Sequence, residues 1–363
     1  MKRFIGFERG MGIGGWLTNY KRFHVIPKEK INWLTIGDEE HFQEYITEDD
    51  VINIKKMGFD HIRVCFDQVV FQSEDGSYRY DHIALLDNFI SWCKKHAMNV
   101  IINLHKALGS YCDVDTGEDL LDSQELQDKL VAFWVELEKH YANEPQVVFE
   151  LLNEVKDVDP EKWNILATRL IDGIRELNKT RILILGTTNW NSPDNLKDIK
   201  VFDDDNVIYT FHFYEPFEFT HQQGVLQTRT ELYNRKMSYP GDIERYRDYQ
   251  RFTYGTDKVY DGLTEMNGEF VQRALAPVKE FIKNNPDKIV WCGEFGNIRH
   301  AKMEWRIAWF KDVIGFLKEN EIPYSVWNYL STPNDGNRFS LTDDETRQML
   351  SEELHRILLG DFE

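Results

Sequence analysis

Val147-Val148-Phe149-Glu150-Leu151-Leu152-Asn153-Glu154 is an apolar run that stops abruptly at an amide and a carboxylate. A run of this length and composition reads as a buried strand of a parallel sheet, covered on both faces. A charge is costly inside such a strand, so Glu154 is expected where the strand emerges. In parallel α/β folds, that C-terminal rim is where ligands bind. Ile289-Val290-Trp291-Cys292-Gly293-Glu294-Phe295-Gly296 has the same design, a short apolar strand closing on one glutamate. Two such carboxylates, far apart in sequence, can face each other only if the sheet curls into a barrel. The expectation is an α/β chain folded as a (β/α)8 barrel.

Working outward, strands and helices alternate along the chain, as a parallel sheet requires. Met11 to Trp16 is a Gly-rich first strand, and His61 to Phe66 and Asn99 to Leu104 are the second and third. Arg181 to Leu185, Val207 to Phe211, 289–293 and 324–328 complete eight with the opening stretch. Thr47 is a candidate N-cap, with three acidic residues in the first turn behind it. Ser123 caps another helix. Residues 159–177 carry Trp163, Leu166, Ala167, Leu170, Ile171, Ile174 and Leu177 on one helical stripe. Residues 17–46 read as an irregular loop over the rim. Residues 215–263 interrupt the pattern after strand six and are rich in aromatic residues, among them Tyr233, Tyr239, Tyr246, Tyr249, Phe252, Tyr254 and Tyr260. A structureless loop that long does not belong in a compact domain, so a small inserted subdomain or lid is expected within a single catalytic domain spanning 1–363.

The bulk numbers exclude several classes. The chain has 363 residues, 42% of them hydrophobic and 29% charged, with a formal net charge of −19. That charge argues against nucleic acid and anionic membrane as partners. Cys65, Cys93, Cys112 and Cys292 form no CxxC pair and read as buried, reduced thiols. No apolar run approaches the ~20 residues of a membrane span. The N-terminal stretch is not a secretory signal, so the expected place is the cytoplasm, or outside the cell if a leader has been trimmed. A monomer is expected.

Polar residues gather where strands end. Arg63 lies in strand two, and His105 closes strand three. Asn153 and Glu154 close strand four, and Trp190 follows strand five. His212 and Tyr214 mark strand six, Glu294 strand seven and Trp327 strand eight. Each has a bland structural reading taken singly; their coincidence at almost every strand end does not.

This ordered set resembles the active-site residues of glycoside hydrolase family 5, a clan A family. The fuller match is to its clostridial endoglucanases. Supporting stretches are Gly14-Gly15-Trp16, Gly58-Phe59-Asp60-His61-Ile62-Arg63-Val64, Phe211-His212-Phe213-Tyr214-Glu215-Pro216-Phe217, Thr220-His221-Gln222 and Cys292-Gly293-Glu294-Phe295-Gly296. The resemblance implies a TIM barrel and a retaining endo-β-1,4-glucanase acting on cellulose-type or mixed-linkage β-glucan, polymeric or oligomeric. It implies Glu154 as acid/base and Glu294 as nucleophile, which retention places about 5–5.5 Å apart. Arg63 would keep Glu294 ionised, Asn153 would bind the sugar 2-hydroxyl, and Tyr214 would orient Glu294. His105 and His212 would fix the site, and Trp327 would floor it. Trp16, Trp190, Phe217 and His221 are candidate sugar contacts. No metal or organic cofactor is implied. The chain departs from its relatives at Lys106, where they carry a second histidine, and this bears on subsite preference.

Three other readings share some of these features. A β-1,3-glucanase or β-mannanase uses the same residues. A non-catalytic carbohydrate-binding barrel is opposed by the two intact glutamates. A metal-dependent hydrolase is opposed by the lack of HxH or HExxH spacing.

Overall fold

The eight barrel strands are β1 (Arg9–Leu17), β2 (His61–Asp67), β3 (Asn99–Lys106), β4 (Val147–Glu150), β5 (Leu183–Leu185), β6 (Val207–Phe213), β7 (Val290–Phe295) and β8 (Tyr324–Val326). In this computed structural model, which describes residues 3–18, 38–112, 119–332 and 335–362, they pair in parallel and close, with β1 against both β2 and β8. Helices cross over between strands, as parallel pairing demands.

The pleat sorts the side chains. Val147 and Phe149 of β4 face outward, into the large core shared with the helices. Val148 faces inward, in a cluster with Ile101, Ile184, Ile208 and Trp291, one from each of four other strands. Phe4 and Phe7, just ahead of β1, join this cluster with their rings stacked at 4.3 Å. The end of the barrel where the strands begin is therefore dry. Two residues along, on the same face of each strand, stand Asn103, Glu150 and Thr210. The interior thus turns polar toward the rim that holds the site.

Two register shifts re-aim side chains there. Phe211 pairs with Cys292, but His212 pairs with Glu294, so Gly293 is an extra residue in β7. Bulges of this kind redirect the residue that follows. Strict alternation from Trp291 would send Glu294 outward to the helices; the bulge returns it to the interior. A side chain at 293 would stand 2.7 Å from Thr210 Oγ1 and 2.9 Å from the Trp291 ring, so glycine alone fits. The second shift lies in β1, between Ile13 and Leu17, where Gly15 takes φ +75°.

Local signals place the helices. Thr47 and Asp50 form a reciprocal capping box ahead of Glu48–Lys56. Ser123 Oγ accepts from the Leu126 amide to start Gln124–His140. The stripe of Pro160–Leu177 is buried from Trp163 to Ile174, while Leu177, in the last turn, is exposed. Of the loop expected over 17–46, residues 19–37 lie outside those described. Its remainder is not irregular: Leu17 ends β1 and Glu39–Glu44 is a helix seated by Phe42.

Between β6 and β7 the chain forms helices Phe217–Thr220, Thr228–Tyr233 and Ile243–Tyr254, and pairs Gly241–Asp242 with Glu265–Met266 antiparallel. Tyr239, Tyr246, Tyr249 and Tyr260 are buried, whereas Phe252 and Tyr254 are exposed. Most of the aromatic surplus here is therefore a small core. All four cysteines are buried thiols outside any disulfide. Among the described residues, no helix is long and apolar enough to cross a membrane.

Candidate active site

Arg63 is the centre of the rim network. It lies fully buried on β2. Its Nε and Nη2 donate to the two carboxylate oxygens of Glu150, at 2.6 and 2.8 Å. Nη2 also donates to Asn153 Oδ1 at 2.7 Å, and Nη1 to Glu294 Oε1 at 2.5 Å. A guanidinium with this fork leaves little rotational freedom, so Arg63 fixes three side chains from the ends of two strands, β4 and β7. Burial works against its charge, but Glu150 and Glu294 outweigh that and hold it protonated.

Glu294 receives a second donor. The Tyr214 hydroxyl, from the segment after β6, donates to Glu294 Oε2 at 2.9 Å. Burial opposes ionisation of Glu294. The charge of Arg63 and the hydrogen bonds from Arg63 and Tyr214 overcome it and keep the carboxyl below its ordinary range. Tyr214 is pushed the other way, by burial and by the charges of Glu294 and Glu154, so it stays a hydroxyl donor.

Glu154 is the more open of the pair, with 18% of its side chain exposed against 6% for Glu294. Its Oε1 lies 2.7 Å from His212 Nδ1. Asn191 fixes that imidazole. The Asn191 Nδ2 donates to the Asn153 carbonyl at 2.6 Å, which settles the amide orientation, and it lies 3.3 Å from His212 Nε2. With the amide donating to Nε2, Nδ1 carries the hydrogen toward Glu154. Carboxylate oxygens of Glu154 and Glu294 and a ring nitrogen of His212 all lie within 4.8 Å of one another. That closeness suits a nucleophile and an acid acting on one bond.

These donors, and equally Cys65, His105 and Glu294, are close enough to surround a cation. Glu294 belongs to both sets, and its oxygens already accept from Arg63 and Tyr214.

Trp327 follows β8, its amide bonded to the Phe295 carbonyl. Its ring lies over β1: a Cβ on Gly14 would come within 2.3 Å of it, and one on Gly12 within 3.0 Å. The glycines of the first strand make room for this indole. The His105 ring is parallel to it, with centroids 6.0 Å apart.

The four expected sugar contacts separate. Trp190 is 38% exposed, on a turn where residues 189–191 all take left-handed φ. Its indole donates to the Cys112 carbonyl at 3.0 Å. Phe217 is half-buried and stacks on His221 at 3.9 Å. His221 itself is buried among Phe217, Tyr214 and Phe339, and burial lowers its pKa to about 3. It is a neutral wedge behind Tyr214, which corrects its expected place on the substrate. Trp16 is corrected too. It is 1% exposed, donates to the Phe42 carbonyl at 2.7 Å and packs on Phe89. The β1 irregularity turns it from the barrel interior into the helix layer.

Two site residues escaped the sequence reading. Glu150 carried a signal: a charged residue in an apolar strand, in step with an arginine on a nearby strand. Asn191 carried none, because its role depends on a turn of three left-handed residues that no motif announces.

A family model described as cellulase (glycosyl hydrolase family 5) matches residues 27–332. Endoglucanase C of Acetivibrio thermocellus is 35% identical over 362 residues, covering 98% of each chain. Endoglucanase C307 of Clostridium sp. (strain F1) matches to the same extent. Cellodextrinase A of Ruminococcus flavefaciens is 29% identical over 86% of this chain. A solved hyperthermophilic endo-β-1,4-glucanase, in complex with substrate, superposes with a TM-score of 0.73 at 24% identity, over 98% of this chain and 97% of that one. That likeness concerns the fold.

Proposed function

The chain belongs to glycosyl hydrolase family 5, and from that membership we propose that it is a retaining endo-β-1,4-glucanase, cutting cellulose-type or mixed-linkage β-glucan by double displacement. The observation that carries the reading is the pair of strand-end carboxyls, Glu154 and Glu294, with oxygens within 4.8 Å of each other and unlike surroundings. Glu294, ionised beside Arg63 and Tyr214, attacks the anomeric carbon. Glu154 gives its proton to the departing glycosidic oxygen as that bond breaks. In the second step Glu154 takes a proton from water, whose oxygen attacks the same carbon and releases Glu294. His212 holds Glu154 in place, and Asn153, anchored by Arg63, presents its amide to the 2-hydroxyl. Trp327 offers an apolar face to the sugar ring.

The relatives that are 35% identical over 98% of the chain are named endoglucanases, which favours β-1,4-glucan over β-1,3-glucan or mannan. Hydrolysis of carboxymethylcellulose, mixed-linkage glucan, laminarin and mannan tests this. A rapid fall in viscosity on the first two, ahead of reducing-sugar release, is expected. Preference for laminarin or mannan would overturn the substrate assignment.

A further inference from the structure

We propose that Glu218 is a positioning residue for this reaction: a buried carboxyl that clasps Tyr260 of the insertion and holds the short helix behind Tyr214, and so Tyr214 itself, against Glu294. The inference rests on the glycosidase reading, in which Tyr214 orients the nucleophile.

The connections run in one line. Tyr214 donates to Glu294 Oε2, and the Tyr214 carbonyl accepts a very short hydrogen bond from the Thr220 hydroxyl. Thr220 ends the helix Phe217–Thr220, and the following residue, His221, packs against the Tyr214 ring. Glu218 lies on that same turn and is 1% exposed. Its Oε1 accepts from the Tyr260 hydroxyl at 2.6 Å and from Gln250 Nε2 at 3.3 Å. Its Oε2 is buried with no hydrogen-bonding partner. Glu218 is therefore the polar tie between the catalytic segment and the insertion helix Ile243–Tyr254 with the turn that follows it.

The surroundings favour a neutral tie. The ionisable groups facing Glu218 are Glu215 on its own segment, Tyr246, Tyr249 and Tyr254 on the insertion helix, and Tyr260 on the next turn. Among the described residues, no basic side chain pairs with it. Burial pushes its pKa up to about 8, the Tyr260 hydrogen bond opposes this, and Glu215 adds to it. An ionised carboxyl here leaves one charged oxygen unpaired in a dry site, which is costly. Loss of the proton should loosen the insertion from the helix and free Tyr214 to drift from Glu294. No catalytic group needs to ionise for activity to fall.

The test is the alkaline limb of kcat/KM for dinitrophenyl β-cellobioside. That leaving group needs no proton, so ionisation of Glu154 does not govern its departure. Wild type, Glu218→Gln and Glu218→Ala are compared from about pH 5 to 10. Wild type should lose activity above about pH 8. Glu218→Gln keeps an oxygen for Tyr260 and cannot ionise. It should match wild type at neutral pH within about twofold and hold that rate where wild type declines. Glu218→Ala should lose about tenfold or more in kcat at every pH. Because the alanine variant risks unfolding, the glutamine variant decides. An alkaline limb in Glu218→Gln superimposable on that of wild type overturns the proposal alone. A wild type that never cleaves the cellobioside overturns the glycosidase reading on which it stands.

Discussion

Arg63 ties Glu150, Asn153 and Glu294 into one arrangement, so a change at any partner should be felt through it. Glu150 touches no substrate in the proposed reaction, yet it is the only partner that takes both Nε and Nη2. Removing it leaves a buried guanidinium short of one charge, and Glu150→Ala should cost about 3–5 kcal/mol in urea denaturation. The catalytic glutamates should respond differently. Glu294→Gln should abolish turnover on every substrate. Glu154→Ala should still be glycosylated by an aryl glycoside with a good leaving group, and azide should rescue its release; identical behaviour of the two variants would refute the assigned roles. Tyr214→Phe removes a donor to the ionised form of Glu294, so the Glu294 pKa should rise. The carboxyl is depressed in the folded enzyme, so activity survives as pH falls until that value is crossed. With the donor gone, the acid limb of kcat/KM should move to higher pH, by about one unit.

At the scale of the element, the strand-end bulge in β7 decides whether a nucleophile exists. Gly293 is the extra residue, and it leaves no room for a Cβ beside Thr210 and Trp291. Gly293→Ala should therefore fold with a displaced Glu294, and lower kcat by about a hundredfold or more while thermal unfolding stays cooperative. Loss of folding with no active soluble fraction would place the glycine's role in stability instead. The β1 irregularity makes a contrasting case. Trp16 belongs to the helix layer, so Trp16→Ala should cost about 3–5 kcal/mol of stability and leave KM for cello-oligosaccharides unchanged. Trp190, exposed on its turn, should behave oppositely: Trp190→Ala should raise KM severalfold with little change in the unfolding midpoint.

For the molecule as a whole, barrel closure was legible because apolar segments end in polar or aromatic site residues at almost every strand, and only a closed parallel sheet brings such ends together. The resemblance to family 5 supplied the roles of Glu154 and Glu294, which strand composition alone could not. The places of Trp16 and His221 were not legible. Each depends on a local departure from regular structure, a bulge in one case and a tight turn in the other, and alternation arguments assume regular strands. Glu150 was missed for another reason: a charge in an apolar strand in step with an arginine signals a buried pair, but does not say that the pair holds a nucleophile. Shortening residues 220–260 to a Gly/Ser loop is expected to raise KM for oligosaccharides, and the loss of Tyr260 and Gln250 should add the defect foreseen for Glu218. The account turns on retention, because everything proposed for Arg63, Tyr214 and the β7 bulge serves a nucleophilic Glu294. Proton NMR of the first products released from a cello-oligosaccharide measures this directly. The β-anomer should appear first and the α-anomer only later, by mutarotation; initial release of the α-anomer would contradict the mechanism.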